Sequence, residues 1–410
     1  MTIELRRITA DEWDRWHRTL DWAFGGLPQS PEERELWRGL VSLDRCLGAF
    51  DGDEVVGTYG ELSLGMSVPG GAVVETAGAT MVSVAGTHRR RGLLRRMMRR
   101  SLEAAWERGD VLSALTAAEA SIYGRFGYGV AAHSLAARVP KHRVTLSALP
   151  PGTDDVRLTV TTPADALERC EKLYAELVTR RPGALERRPG WERLALLDPP
   201  AERHGASELR CVLAERDGEL VGYARYALRV EWDRSVPGGP VLVRNLDAVD
   251  PAGHAALLRY LLGLDLTDRV ELMGRPVDDP LVHLLSDIRV SDLQLRDRLH
   301  LRPLDVGAAL AARSYATDID LVLSVSDANC PWNEGRWRLS GGPAGAVCAR
   351  TADPAALELD VRALSAAYLG GTSLGALAGA GLVGEARPGA LAAAAAAFGH
   401  PLAPWLPHGF

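Results

Sequence analysis

The chain is predicted to be an α+β protein of three consecutive units, and three observations predict it. Residues 81–106 read as strand, tight arginine-rich loop and amphipathic helix. Residues 241–263 return to strand, loop and helix in the same order. Past Pro303, four short strands precede two helices. At 410 residues the chain has room for two or three domains with substantial cores.

In chain order, residues 3–7 form a short strand. Thr9 and Glu12 make a capping box opening a helix with Trp13, Trp16, Leu20 and Phe24 on one face. Ser30 and Pro31 open another, carrying Leu36, Trp37 and Leu40. Strands at 45–51 and 54–64 turn on Asp51-Gly52-Asp53, and residues 73–80 lead into the strand 81–84. Residues 85–91 cannot extend it, because Gly86, Thr87 and four consecutive basic residues make a poor pleated surface. From Gly92 the pattern is helical, with Leu94, Met97, Met98, Leu102 and Ala105 opposite Arg95, Arg96, Arg99, Arg100 and Glu103. The loop thus delivers unpaired backbone N–H groups, a positive helix end and arginine side chains to one place, which suits a pyrophosphate. Alone, such a run is more often a solvated surface.

Pro140, Pro150, Pro151 and Gly152 mark 140–153 as a linker. The second unit opens with a strand at 156–161 and a helix from Pro163, capped by Thr162 with Asp165 in its first turn. A hairpin at 209–226 turns on Asp217-Gly218. Glu219-Leu-Val-Gly-Tyr echoes Glu54-Val-Val-Gly-Thr, but Asp250-Pro251-Ala252-Gly253-His254 replaces the arginine loop. An acidic residue there repels phosphate, and Pro251 removes an N–H donor. In the third unit, strands at 319–325, 335–339, 346–351 and 357–360 precede helices at 360–369 and 391–398.

About thirty residues beyond the basic loop stands SIYGRFGYG, residues 121–129. Val-x-Val, the loop, a helix, a second strand and this tyrosine-glycine run together resemble the acyl-coenzyme A core of the GNAT N-acetyltransferases. The pair HRRRGLLRRMM and IYGRFGYG most resembles the enhanced-intracellular-survival (Eis) family. The GNAT loop pattern Gln/Arg-x-x-Gly-x-Gly/Ala is met at Arg89 and Gly92, while Leu94 departs from the superfamily pattern. The resemblance covers the whole chain. It implies a catalytic GNAT domain over 1–140, a degenerate GNAT-like domain over 153–303 and a sterol-carrier-protein-like α+β domain over 304–410.

The resemblance also implies roles. Arg89, Arg90, Arg91, Gly92, Leu93 and Leu94 hold the coenzyme A pyrophosphate. Val82, Ser83 and Val84 pair backbone groups with the pantetheine arm, as a strand edge pairs with an added strand. Ser121 is placed with the cofactor and Glu119 with the substrate, both at the end of the second strand. Tyr123 is the general acid: a phenol of pKa ~10 can protonate a thiolate of conjugate-acid pKa ~8.5 within hydrogen-bond reach. Local chemistry alone leaves Tyr128 equal to it. No Asp, Glu or His stands out as base in the core stretch. The Eis resemblance supplies the terminal carboxylate of Phe410, with Trp405 and Leu406 as anchors and Pro404 and Pro407 as stiffeners. Gly409 stands where relatives carry an acidic residue, so one substrate contact is absent. Frayed ends are the usual fate of termini. Trp13, Phe24 and Trp37 are acceptor-pocket candidates, although aromatics at helical spacing are more often core.

A net charge of −6 implies no general attraction to nucleic acid, and a local basic loop suits a small polyanion. Five scattered cysteines without CxxC or Cys/His spacing predict neither a disulfide framework nor a metal site. The first residues lack an apolar signal region and no stretch spans a bilayer, making cytoplasmic the default. The expected function is acetyl-CoA-dependent N-acetylation of a small polycationic amine of aminoglycoside type, by direct transfer. The resemblance implies a homohexamer. Alternatives are a peptide or protein lysine acetyltransferase and a non-catalytic lipid- or acyl-CoA-binding scaffold.

Overall fold

A computed structural model describes residues 3–26, 29–147 and 149–410. Residues 1, 2, 27, 28 and 148 of the expected first domain and linker lie outside the described residues. The chain divides into two compact units. One comprises Met1–Ala132, Arg181–Glu186 and Asp297–Phe410, and the other His133–Arg180 and Arg187–Arg296. The first and last stretches of sequence therefore pack as one body.

In the first unit β1 (Glu4–Arg7), β2 (Leu47–Asp51), β3 (Glu54–Ser67) and β4 (Val73–Val84) pair antiparallel in that order. β5 (Leu112–Leu115) adds parallel to β4. Two helices, α1 (Trp13–Ala23) and α2 (Pro31–Leu40), lie between β1 and β2 in sequence. The Thr9–Glu12 capping box is present, with the Thr9 amide donating to the Glu12 carboxylate at 3.0 Å. Between β4 and β5 runs α3 (Leu93–Glu107), which buries Leu93, Met97, Met98, Leu102 and Ala105 against Ala49, Val56, Tyr59, Ala77 and Ala79. Leu94 is only half-buried, so Leu93 rather than Leu94 anchors the helix start. Trp16 lies over Gly60 and donates its Nε1–H to the Leu47 carbonyl at 2.9 Å. Tyr59 faces α3, and alternation along the strand puts α1 on the opposite face of the sheet.

Two irregularities open this sheet. The β3–β4 register slips between Thr58↔Ser83 and Gly60↔Thr80, leaving Met81 and Val82 opposite Tyr59 with Met81 at φ +52°. The expected plain strand is thus a β-bulge. Moreover, β4 pairs with β5 only over Thr76↔Leu112, Ala77↔Ser113 and Gly78↔Ala114. Beyond Gly78 the two strands part.

The next strand is β6 (Gly129–Pro140), whose residues from His133 belong to the second unit. There follow β7 (Arg157–Thr161), α4 (Leu167–Val178) and β8 (Leu185–Glu186), the last pairing with β3 in the first unit. Thr162 caps a turn, accepting from the Asp165 amide at 3.1 Å, and α4 begins only at Leu167. Then come β9 (Arg210–Arg216), β10 (Glu219–Leu228), the small hairpin β11 (Glu231–Asp233) and β12 (Val236–Gly238), β13 (Pro240–Ala248), α5 (Pro251–Gly263) and β14 (Arg269–Arg275). The strands pair in the order β7, β9, β10, β13, β14, β6, with β13–β14 parallel. This repeats the plan of β1–β5, with α5 in the place of α3. Asp217 and Gly218 both take positive φ at the expected hairpin turn.

After α6 (Leu281–Leu284) and β15 (Asp292–Pro303), β15 pairs with β5 over His300–Pro303. α7 (Val306–Ala312) leads into a separate sheet of β16 (Ile319–Ser326), β17 (Gly335–Gly342), β18 (Gly345–Arg350) and β19 (Leu357–Asp360). α8 (Val361–Ala367), α9 (Leu374–Gly379), β20 (Val383–Glu385) and α10 (Ala390–Phe398) complete it, in the strand order β18-β17-β16-β19-β20. Among the described residues no helix is long and apolar enough to cross a membrane.

Candidate active site

The site is built where β4 leaves β5. Gly92 caps α3 at φ +77° and no side chain occupies the helix start. The first ladder bond runs from the Arg96 amide to the Gly92 carbonyl at 3.1 Å, so the amides of residues 93–95 have no intrahelical acceptor. A Cβ at Gly92 would meet nothing within 4 Å, so the glycine answers to the backbone angle and the space above it is open. Arg90 also has positive φ, +62°. His88 pins the loop from below, with Nε2 3.1 Å from the Asp51 carboxylate and Nδ1 2.8 Å from the Thr87 hydroxyl. The donor set and open space at this helix start fit a pyrophosphate.

A cleft of about 840 Å³ extends from this helix start. Val82, Ser83 and Val84 form its β4 wall, Arg89, Arg90, Gly92, Leu93 and Leu94 its loop end, and Glu119 and Tyr123 the facing wall, with Phe24 at the end of α1. Thr58 donates to the Met81 carbonyl at 2.7 Å and its oxygen lies 2.7 Å from the Ser83 hydroxyl. With the threonine's one hydrogen committed, Ser83 is the donor of that pair, and its side chain holds the bulge rather than reaching outward.

Other predicted residues stand apart. Arg91 and Ser121 are exposed and outside the lining. Glu119 and Ser121 follow β5, which ends at Leu115, in a 3₁₀ turn spanning Ala120–Phe126 with Glu119 as its cap. Trp13 is buried and stacked on Trp16 at 5.3 Å; it borders a smaller hollow of about 230 Å³ with Arg34 and Arg38. Trp37 lies on α2, donating to Glu33 at 3.2 Å, outside the cleft. Asp21 is committed to Arg34 at 2.9 Å.

The structure separates the two tyrosines. Tyr128 is fully buried, its hydroxyl 2.6 Å from Ser113, whose own hydrogen goes to the Ala77 carbonyl at 3.1 Å. The Tyr128 proton is therefore spent on Ser113. Tyr123 borders the cleft; burial, then the Glu119 carboxylate, push its phenol above the usual tyrosine range.

The C-terminal tail is held in place. Arg181 donates to the Ala403 carbonyl at 2.9 Å, the Trp405 amide donates to Pro182 at 2.9 Å, and Trp405 and Leu406 are buried. A terminal oxygen of Phe410 accepts from the Thr116 hydroxyl at 3.1 Å. Thr116 directly follows β5 and lies two residues before Ala118 of the cleft wall. Sequence reasoning missed Thr116; the end of β5 was its signal. It also passed over Glu61, which burial pushes up to about 7 against the opposing pull of Arg108 and Arg45. Glu61 sits outside the cleft lining, closed in by those arginines.

The corresponding helix start in the second unit is closed. The Asp250 carboxylate accepts from the amides of Ala252 at 2.6 Å and Gly253 at 3.1 Å, Pro251 has no N–H, and Arg216 pairs with Asp250. Its own side chain occupies the anion position. One coenzyme A per chain is therefore expected by calorimetry; a stoichiometry of two would contradict this account of α5.

Strand order, bulge, diverging strands and anion-ready helix start define a GNAT-type acyltransferase, a class that draws its acyl group from acyl-coenzyme A. Acetyltransferase (GNAT) domain profiles match residues 4–131 and 183–303, and a sterol carrier protein domain profile matches residues 306–407. The chain is 55% identical over 410 residues to an uncharacterized N-acetyltransferase of Streptomyces avermitilis, covering both completely. It is 35% identical to the N-acetyltransferase Eis of Mycobacterium tuberculosis over 393 residues, 93% of this chain and 92% of that protein. The crystal structure of Eis1 from Mycobacterium abscessus matches with a TM-score of 0.84 at 32% identity over all of both chains. The protein belongs to the Eis family of N-acetyltransferases.

Proposed function

We propose that this enzyme transfers the acetyl group of acetyl-CoA directly to an amine of a small polycationic acceptor of aminoglycoside type, in a ternary complex. The observation that carries the proposal is the cleft itself. It ends in unpaired amides and arginines at α3, and its facing wall holds a phenol kept protonated at neutral pH. Amides 93–95 with Arg89 and Arg90 hold the pyrophosphate, the exposed Arg91 adds positive charge from outside the lining, and backbone groups of Val82–Val84 hold the pantetheine arm. Bound coenzyme A supplies an activated acetyl thioester. The Phe410 carboxylate takes one proton from the acceptor ammonium, and the freed amine forms the C–N bond as the C–S bond breaks. Tyr123 protonates the departing sulfur, and the second proton lost by nitrogen restores the phenol. Glu119 and that carboxylate supply negative charge for a cationic acceptor. Among the described residues no cysteine lines the cleft, and four of the five are buried, which favours direct transfer over a cysteine acyl-enzyme. We also propose a homohexamer; exposed Trp232, Val236, Met273 and Leu295 offer apolar surface for it.

Charge reversal tests the cofactor assignment. Arg90→Glu with Arg91→Glu is expected to weaken acetyl-CoA binding at least about tenfold, since charge-assisted bonds to phosphate are each worth ~1.5–3 kcal/mol. These side chains are exposed, so the melting temperature should hold. Unchanged affinity by calorimetry in the folded double variant would overturn the assignment. Relative kcat/KM for aminoglycosides and lysine peptides tests the acceptor class; a preference for peptides would replace it.

A further inference from the structure

The turn carrying Tyr123 ends in backbone carbonyls that it cannot satisfy itself. Within the turn, the Gly127 amide donates to Gly124 at 3.1 Å and the Tyr128 amide to Tyr123 at 3.4 Å. No backbone amide among the described residues donates to the carbonyls of Arg125, Phe126 or Gly127. Side chains from the sequence beyond β5 meet all three. Asn329 Nδ2 donates to Arg125 at 3.0 Å, and Arg302 Nη1 donates to Phe126. The Ser365 hydroxyl lies 3.1 Å from the Gly127 carbonyl, sharing its one hydrogen with Val361 at 2.6 Å.

This support is rigid behind its first contacts. Arg302 is fully buried, and its Nη2 pairs with Asp327, equally buried. Asp327 in turn accepts from the amides of Asn329 at 3.1 Å and Cys330 at 3.0 Å, and from Asn333 Nδ2 at 3.1 Å. The exposed Arg362 lies flat against Gly124, where a Cβ would stand 3.0 Å from its Cζ. At Gly129 the backbone of α8 comes so close that a Cβ would stand 2.6 Å from the Ala366 amide nitrogen. Only glycine permits that approach.

We infer that the sterol-carrier-type domain, with Arg302, positions the general acid. The Arg302–Asp327 pair, Asn329 and Arg362 fix the 124–127 backbone and thereby aim the Tyr123 hydroxyl into the cleft. They are positioning residues; none of them lines the cleft. The inference rests on the assignment of Tyr123 as the acid. A displacement of about 1 Å at a reacting group can cost on the order of 10²-fold in rate.

The test uses the full-length enzyme and two sets of variants. Asn329→Ala with Arg362→Ala alters half-buried and exposed positions, which preserves folding. Arg302→Met with Asp327→Asn removes both buried charges together, so neither is left unpaired, and retains an acceptor for the Asn329 and Cys330 amides. Each pair is expected to lower kcat by about 10- to 100-fold while KM for acetyl-CoA changes less than about twofold. Introduced into Tyr123→Phe, the same changes should lower kcat further by less than about twofold, because the group they aim is gone. Without any ligand, amide hydrogen exchange at 124–128 should quicken about tenfold or more in the variants, with 112–115 unchanged. Unchanged exchange and wild-type kcat would overturn the inference, as would equal losses with and without the Tyr123 hydroxyl. If Tyr123→Phe alone keeps the wild-type rate, the acid assignment itself fails, and that result is read separately from the clamp variants.

Discussion

Tyr123→Phe is expected to lower kcat by about 10²- to 10⁴-fold, the usual worth of a positioned general acid. The ring and its edge-on packing against Tyr128 at 6.1 Å remain, so stability and acetyl-CoA affinity should barely move. Because burial and Glu119 raise the phenol pKa, the native enzyme retains its acid form through neutral pH and up to its ordinary limit of ~10. The rate should therefore rise with pH as the acceptor amine deprotonates, with no descending limb below that value. Tyr128→Phe is the control. It breaks the bond to Ser113 and should cost about 1 kcal/mol of stability, leaving kcat of the folded enzyme near wild type. A kcat within about a factor of two of wild type in Tyr123→Phe would remove this residue from the mechanism.

The second large effect concerns the chain end. Extending the chain a few residues beyond Phe410 moves the carboxylate but leaves the ring, whereas deleting Phe410 removes the ring and shifts the carboxylate to Gly409. Both variants are expected to lose most of kcat, on the order of 10²-fold, with acetyl-CoA binding intact. A free α-carboxylate of pKa ~3.5 is a weak base, so the role depends on placing it within reach of the acceptor ammonium. The tail has the rigidity this role needs, through Arg181, Pro182 and the buried Trp405 and Leu406. Thr116→Ala removes the hydroxyl that the terminal oxygen accepts from and should produce a smaller loss of the same kind. An extended enzyme turning over at the wild-type rate would send the search for a base to Glu119.

Sequence legibility followed the strength of local chemistry. The Asp217-Gly218 hairpin, the Ser30-Pro31 helix start and the tetrad of strands at 319–360 were readable because turn residues and apolar periodicity agree there. The Met81 bulge was not, since a bulge is set by the partner strand: nothing near Met81 announces that two residues will face Tyr59. Short α7 carried a signal in Asp305, which accepts from the Ala308 amide at 2.9 Å, but three-residue β20 is below the length at which periodicity speaks. For the site, Arg89, Arg90, Gly92, Leu93, Leu94 and Tyr123 were legible as a motif and line one cleft, whereas Arg91 of the same loop stands outside it. What the motif could not give was long-range placement. Trp13 opens α1 and Phe24 caps its end, yet one is buried and the other is 58% exposed at the cleft. The packing of the C-terminal domain against the turn that carries Tyr123 likewise depends on buried pairs such as Arg302–Asp327, separated by 25 residues and silent in sequence.

Thiol release from acetyl-CoA, followed continuously with and without an aminoglycoside, tests the central claim most directly. The account predicts that release requires the amine, that one thiol appears per amine acetylated, and that double-reciprocal plots against the two substrates intersect. Absence of release with every amine offered, or an amine-independent burst of thiol equal to the enzyme present, would contradict it.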